Sequence, residues 1–169
     1  MDPSDLLTTF FWCLLAIPVS LLLHEHGHLL AGLLLGHRRT AIGLGDPRSF
    51  VFWAVRIGSV RYRLHQPLTW LTYAYYVFIA PGRMNSGWRA ALLAASGPAA
   101  NLLTAVACTP ALVAAVSRLC QLDLTGLASP YATLGLVSLW LGLYNLIPMR
   151  RGPVETDGMV LWRFLRGKR

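Results

Sequence analysis

Three histidines and one glutamate lie inside a run of leucines in the segment "SLLLHEHGHLLAGLLLG", residues 20–36. His24 and His28 are four residues apart, so on a helix both imidazoles project from one face and can bind a single metal ion. Glu25 lies near that face, where it can take a proton from a water that the metal activates. His26 points to the other side, and we interpret it as a packed or interfacial histidine.

The His-Glu-x-x-His spacing is typical of zinc peptidases, although short motifs of this kind also occur by chance. The apolar surroundings favour a functional site, because ionisable side chains are costly inside a membrane helix. The alternative is a purely structural role, in which the buried histidines hydrogen-bond to the backbone or to other helices. That role does not explain why Glu25 is present. A haem site is a poor fit, because haem normally takes its two histidine ligands from opposite sides of its ring, whereas His24 and His28 lie on one turn of helix. We therefore expect one zinc ion per chain, although the same ligands suit other divalent ions.

The composition indicates an integral membrane protein. Of its 169 residues, 55% are hydrophobic and 13% are charged, and the mean hydropathy is +0.51. Soluble domains carry about 25% charged residues. Apolar runs at about 6–36, 90–116 and 130–148 are long enough to span a bilayer. We expect a single all-α membrane-embedded domain with three core transmembrane helices. The three cysteines predict neither a disulfide framework nor a cysteine zinc site.

The basic residues indicate the orientation in the membrane. The formal net charge is +8, with eight arginines between residues 37 and 89 and six basic residues after Pro148. This distribution predicts an outer N-terminus and a cytoplasmic C-terminus in a multi-pass protein of the cell membrane. The histidine pair then lies toward the cytoplasmic side. No motif supports nucleic-acid binding.

A catalytic zinc ion takes three protein ligands, so a third ligand must come from elsewhere in the chain. Three of the remaining acidic residues fall on the outer side in this topology, which leaves Asp46, Glu155 and Asp157. Asp157 begins a short predicted helix at about 157–167, where an aspartate can also serve as an N-cap. Glu155 lies in a loop that can equally be solvated. The residues alone leave the choice open.

The segment at about 40–82 connects the first two spans. Residues 60–65 alternate between apolar and polar types, and Gly58-Ser59 can supply a turn. We expect a small membrane-associated β-hairpin whose edge could bind an extended peptide, or else a plain amphipathic loop over the helix ends. Residues 68–80 are rich in Tyr and Trp and short for a span, which favours an interfacial or re-entrant segment.

Four features resemble the site-2 protease family of intramembrane zinc metalloproteases. They are "HEHGH" in an apolar helix, the strand-like segment after it, "SGPAANLL" at 96–103 and "NLIP…DG" at 145–158. The resemblance implies a compact catalytic core with zinc bound by His24, His28 and Asp157, and with Glu25 as the base. It also implies a substrate-binding role for Asn145. The family usually has Asp-Gly soon after Asn-x-x-Pro, whereas "MRRGPVET" intervenes here, so Glu155 stays the alternative ligand.

The sequence predicts no catalytic role for the segment "SGPAANLL" at 96–103. Gly97, Ala100 and Thr104 form a small-residue stripe that lets another helix approach, and Asn101 is expected to hydrogen-bond within that contact.

The function implied is hydrolysis of a peptide bond in a transmembrane protein or hydrophobic peptide near the cytoplasmic face of the lipid bilayer. The alternative is a catalytically inactive protein that binds membrane helices, or a metal transporter. A transporter needs ligands along a route to both sides, and the outer halves of these spans carry none.

Overall fold

The computed structural model describes residues 3–37, 40–72, 74–78, 87–121, 129–151 and 154–167. These residues form five α-helices and six β-strands. The helices are α1 (Pro3–Leu34), α2 (Gly87–Ala107), α3 (Thr109–Leu119), α4 (Pro130–Leu146) and α5 (Asp157–Leu165). The strands are β1 (Thr40–Leu44), β2 (Val51–Ile57), β3 (Val60–His65), β4 (Ala74–Phe78), β5 (Arg150–Arg151) and β6 (Val154–Glu155).

Helices α1, α2 and α4 form the core, and each packs against the other two. Two of them, α1 with 32 residues and α2 with 21, are long and apolar enough to cross a membrane. Helix α4 occupies the third predicted span and has 17 residues, which corresponds to about 26 Å. Inside the core, the hydroxyls of Ser20 and Ser138 form a buried 2.8 Å hydrogen bond between α1 and α4.

The prediction of one continuous helix over 90–116 is wrong, because the chain forms two helices there, α2 and α3, which are separated at Cys108. Pro110 lies in the first turn of α3. A proline there has no N–H to donate to the carbonyl of Val106, and its ring crowds that carbonyl. The helix therefore restarts at Thr109, where the missing donor is tolerated.

Helix α1 ends in a glycine turn. Gly36 has a φ of 87°, a left-handed conformation that glycine adopts without steric penalty. The N–H groups of Gly36 and His37 donate to the carbonyls of Leu33 and Gly32 at 3.0 and 2.9 Å. This pattern satisfies the last carbonyls of the helix, and it turns the chain so that β1 contacts α1.

Strands β1 to β4 form one mixed sheet in the order β2-β3-β1-β4. Strand β1 is parallel to β3 and antiparallel to β4, and β2 and β3 are antiparallel neighbours joined through Gly58-Ser59. The sheet packs on α1 through a cluster of Leu29, Ile42 and Val60. On the same side, His26 stacks on Tyr62 of β3 with ring centroids 5.7 Å apart.

The prediction of an all-α protein with a small β-hairpin is confirmed in part, because the structure is mostly helical but has a sheet of four strands. Residues 68–80 were read as an interfacial or re-entrant segment. Their described part forms the end of a 3-10 turn, Pro67–Thr69, and the edge strand β4. Their place at a membrane interface stays a prediction. A hydrogen bond helps to hold β4 in the sheet: the hydroxyl of Tyr75 lies 2.8 Å from Nε2 of buried His65.

Candidate metal centre

His24 and His28 present their Nε2 atoms to one point in the core. Both side chains are buried on α1, and their rings are nearly perpendicular with centroids 4.8 Å apart. The two Nε2 atoms are 3.2 Å apart. One turn of helix therefore supplies two nitrogen ligands that a single ion can share.

Asp157 completes the group from the start of α5. Its Oδ2 lies 2.9 Å from Nε2 of His24 and 3.5 Å from Nε2 of His28. Burial disfavours the charged carboxylate, but hydrogen bonds from His24 and His28 outweigh this effect and lower the pKa of Asp157 below its ordinary value. The carboxylate is thus held in the charged form that ligates a metal.

The connector before Asp157 folds back on itself. Strands β5 and β6 pair with each other, with Arg150 opposite Glu155. The Thr156 hydroxyl donates to the carbonyl of Ile147 at 2.6 Å, and it accepts from the N–H of Met149 at 3.0 Å. These bonds return the chain to the end of α4, so the additional residues do not displace Asp157 from the histidines.

Gly158 allows α5 to begin against the end of α4. A Cβ at Gly158 would overlap the carbonyl group of Leu146. Only glycine gives the backbone room to approach this closely, and the approach positions the neighbouring carboxylate of Asp157.

The three ligand atoms fit a tetrahedral metal ion. Their separations are 2.9, 3.2 and 3.5 Å. A zinc ion with bonds of about 2.0–2.1 Å in tetrahedral geometry places its ligand atoms about 3.3–3.4 Å apart. The observed triangle is close to one face of such a tetrahedron, and two imidazoles with one carboxylate are a donor set of catalytic zinc.

Helix α2 forms the wall of this site. Nδ1 of His28 donates to the carbonyl of Leu93 at 2.7 Å, which orients the ring so that Nε2 faces the other ligand atoms. Gly97 faces the ligand atoms, because a Cβ there would lie 2.5 Å from Nε2 of His28 and 2.6 Å from Nε2 of His24. The hydrogen atom of this glycine therefore keeps open the space beside both nitrogens.

Asn101 lies one turn beyond Gly97, fully buried beside His24. Its Nδ2 is 3.3 Å from Nδ1 of that histidine. The sequence predicted that Asn101 bonds within a helix contact, and it missed that α2 lines the metal group. The available signal was the spacing of four residues between Gly97 and Asn101, which places both on one helix face.

The family model of peptidase family M50 matches residues 12–121, about two thirds of the chain. The chain belongs to peptidase family M50. This match confirms the predicted resemblance to the site-2 protease family. Comparison with curated proteins and with solved structures gave no match. The range matched to M50 contains His24, Glu25 and His28 and ends before Asp157. The place of Asp157 beside the two histidines is therefore supported by the structure and not by this match.

Membership of M50 makes a peptidase the expected activity, and the two long apolar helices indicate a membrane protein. Members of M50 are zinc metalloproteases, and the group of His24, His28 and Asp157 could hold such an ion.

Glu25 is buried next to the metal group of this M50 chain, at 7% exposure. It follows His24 directly on α1. Glu25 is not one of the three residues whose ligand atoms form the group that could hold a metal in the described part of the chain. Its role as the base stays a prediction.

Glu155, the alternative ligand, is turned toward arginines. It accepts a hydrogen bond from Arg163, and its Oε1 lies 3.8 Å from Nε of Arg150. In the part of the chain that the structure describes, the group that could hold a metal contains Asp157 and not Glu155.

Two other residues considered from the sequence lie outside this group. Asn145 is half-buried in the last turn of α4, where its Nδ2 donates to the carbonyl of Leu141 at 3.1 Å. Asp46 follows β1, and its Oδ1 accepts from the backbone N–H of Arg48 at 2.8 Å. Asp46 therefore stabilises a turn.

Proposed function

We propose that this chain is an intramembrane zinc metalloendopeptidase. It hydrolyses a peptide bond of a transmembrane protein or hydrophobic peptide near the cytoplasmic face. The observation that carries the proposal is the triangle of His24, His28 and Asp157 beside Glu25. Both histidines and Glu25 lie on α1, which is apolar enough to cross a membrane. Ionisable groups at such a depth are costly and usually serve a function.

The ligand residues and the base have separate roles. His24, His28 and Asp157 hold the zinc ion. When bound, zinc supplies a Lewis acid that activates water and polarises a carbonyl group. Glu25 takes the proton from the attacking water and delivers it to the amine that leaves. Its burial excludes bulk water that would compete for this proton.

The substrate enters in an extended conformation, because the peptide bonds of a helix are shielded by their own hydrogen bonds. Strand β2 lies at an edge of the sheet, where unpaired backbone groups can pair with an added strand. Its apolar side chains Phe52, Trp53 and Ile57 are exposed, which suits a hydrophobic segment in a lipid environment. Asn145, at the end of α4, contributes an amide that can bond the substrate backbone.

Three spans form a single membrane-embedded domain in this proposal. Helices α1 and α2 cross the bilayer fully, and α4 crosses with a length of about 26 Å against a hydrocarbon core of about 30 Å. The basic residues after Pro148 keep the C-terminus and the metal group on the cytoplasmic side.

One experiment tests the function. The protein is purified in detergent, its zinc content is measured, and cleavage of a model transmembrane substrate is compared between wild type and Glu25→Gln. We expect full zinc content and no cleavage in Glu25→Gln. The control is Glu155→Gln, which changes a carboxylate paired with arginine and should cleave normally. Equal cleavage by wild type and Glu25→Gln would exclude Glu25 as the base. Absence of cleavage by zinc-loaded wild type on several such substrates would favour a protein that only binds helices.

A further inference from the structure

Asn101 is a fully buried amide with an unused oxygen. The side chain has 0% exposure, and its Nδ2 lies 3.3 Å from Nδ1 of His24. Within the described residues, Oδ1 has no hydrogen-bond partner. A buried carbonyl oxygen without a donor is unfavourable, so this atom calls for a partner in the working state of the protein.

The tautomer of His24 determines what that partner is. With Nδ2 of Asn101 facing Nδ1, the ring nitrogen accepts, and the ring proton lies on Nε2, which donates to Asp157 at 2.9 Å. A metal ion at Nε2 requires that nitrogen to be unprotonated, which moves the proton to Nδ1. Rotation of the amide by about 180° then presents Oδ1 to the Nδ1–H group.

We propose that Asn101 is a positioning residue of the metal centre. Its amide oxygen accepts the Nδ1–H of His24 and selects the tautomer whose Nε2 binds the metal. This inference rests on the proposed zinc site. His28 has the equivalent support from α2, because its Nδ1 donates to the carbonyl of Leu93 at 2.7 Å. Helix α2 thus orients both histidines, one through its backbone and the other through a side chain.

An amide suits this position better than a carboxylate on grounds of charge. The centre already contains two carboxyl groups that carry negative charge when ionised, that of Asp157 in the ligand group and that of buried Glu25 beside it. A carboxylate at residue 101 would add a third charge, which the Nδ1–H group of a metal-bound His24 would offset in part. An amide can also donate to the metal-free tautomer and accept from the metal-bound one, so His24 keeps a partner in both states.

The first test measures zinc affinity by competition with a chelator in detergent. Asn101→Leu keeps a similar volume but has no acceptor, and we expect zinc to bind about 10- to 100-fold more weakly. Asn101→Asp restores an acceptor and should bind within about tenfold of wild type. Ser138→Ala is the matched control, because it removes a buried bond between α1 and α4 while leaving His24 untouched. Its affinity should be unchanged.

The outcomes separate the inference from the proposed function. If wild type binds no zinc, both fail. If wild type binds zinc and Asn101→Leu binds it equally well, only the role of Asn101 fails. A loss in Ser138→Ala as large as that in Asn101→Leu, or no recovery in a folded Asn101→Asp, would also overturn it.

A second test observes the tautomer of His24 directly. Nitrogen-15 NMR of labelled histidine in the zinc-loaded protein should show His24 bound through Nε2, with a slowly exchanging proton on Nδ1. The assignment comes from the spectrum of His24→Gln. Zinc bound through Nδ1, or a rapidly exchanging Nδ1 proton, would contradict the proposal.

Discussion

The hydroxyl of Thr156 donates to the carbonyl of Ile147 at 2.6 Å, and this bond joins the two ends of the connector between α4 and α5. The same hydroxyl accepts from the N–H of Met149. Asp157 is the next residue in the chain, so the position of its carboxylate depends on the hydrogen bonds that tie Thr156 to the residues after α4.

Removal of that tie should weaken zinc binding. Thr156→Val keeps the shape of the side chain but loses the hydroxyl bonds, each worth about 1 kcal/mol. Because 1.4 kcal/mol is a factor of ten in affinity, we expect zinc to bind roughly tenfold more weakly, as measured by chelator competition. Thr156→Ser keeps the hydroxyl and should bind as wild type does. Equal zinc affinities in Thr156→Val and wild type would show that the pairing of β5 with β6 is enough to position Asp157.

A methyl group at Gly97 should exclude the metal. The Cβ of Gly97→Ala would lie 2.5 and 2.6 Å from the Nε2 atoms of His28 and His24, in the space beside both ligands. Alanine is the better helix former by about 1 kcal/mol, so α2 should remain folded. Zinc per protein, measured by atomic emission, should fall at least tenfold, while helicity by circular dichroism stays the same.

The control for Gly97→Ala is the same change at Gly87, at the start of α2. There a Cβ would lie 3.2 Å from the nearest atom, on the flexible ring of Phe164, far from the histidines in sequence. Gly87→Ala should therefore keep its zinc. Normal zinc content in Gly97→Ala would mean that the ion does not occupy the space beside this glycine.

The two acidic residues near the start of α5 should differ in zinc retention. Asp157→Ala removes an oxygen ligand 2.9 Å from Nε2 of His24, and we expect its zinc to be lost during purification. Glu155→Ala removes only the partner of Arg163 and Arg150, and such exposed pairs contribute little to stability. Zinc loss in Glu155→Ala together with retention in Asp157→Ala would reverse the assignment.

The sheet should be weakened by loss of one hydroxyl. In Tyr75→Phe, the Nε2 of buried His65 loses a partner 2.8 Å away. A buried polar group left without its partner costs about 1–3 kcal/mol. We expect a lower midpoint of thermal unfolding in detergent and normal zinc content, because the sheet contacts the opposite side of α1. An unchanged midpoint would show that another donor reaches His65.

The sequence revealed the parts of the site that are local. His24, Glu25 and His28 lie within one helical turn, so their spacing alone places them together. Asp157 could not be separated from Glu155 in the same way, because the choice depends on how β5 and β6 return the chain. Asn101 and Gly97 were missed as parts of the site, since their role appears only when α2 packs against the histidine face of α1.

The strands were also unequal in how well they could be predicted. Strand β3 alternates between apolar and polar residues, and the glycine turn that joins it to β2 is visible in the sequence. Strand β1 is buried along its whole length, so it shows no alternation of polar and apolar residues. Strand β4 is aromatic, and the same composition is typical of a membrane interface.

Helix α1 carries the sheet on one face, through Leu29 and His26, and the metal ligands on the other. A rigid element with both functions sets a constant spacing between a peptide paired to the sheet and the zinc ion. Under the proposed function, the position of the cleaved peptide bond would be set by its distance from the substrate residues that pair with the sheet. The cleaved bond would then be selected by its distance along the substrate more than by the side chains that flank it.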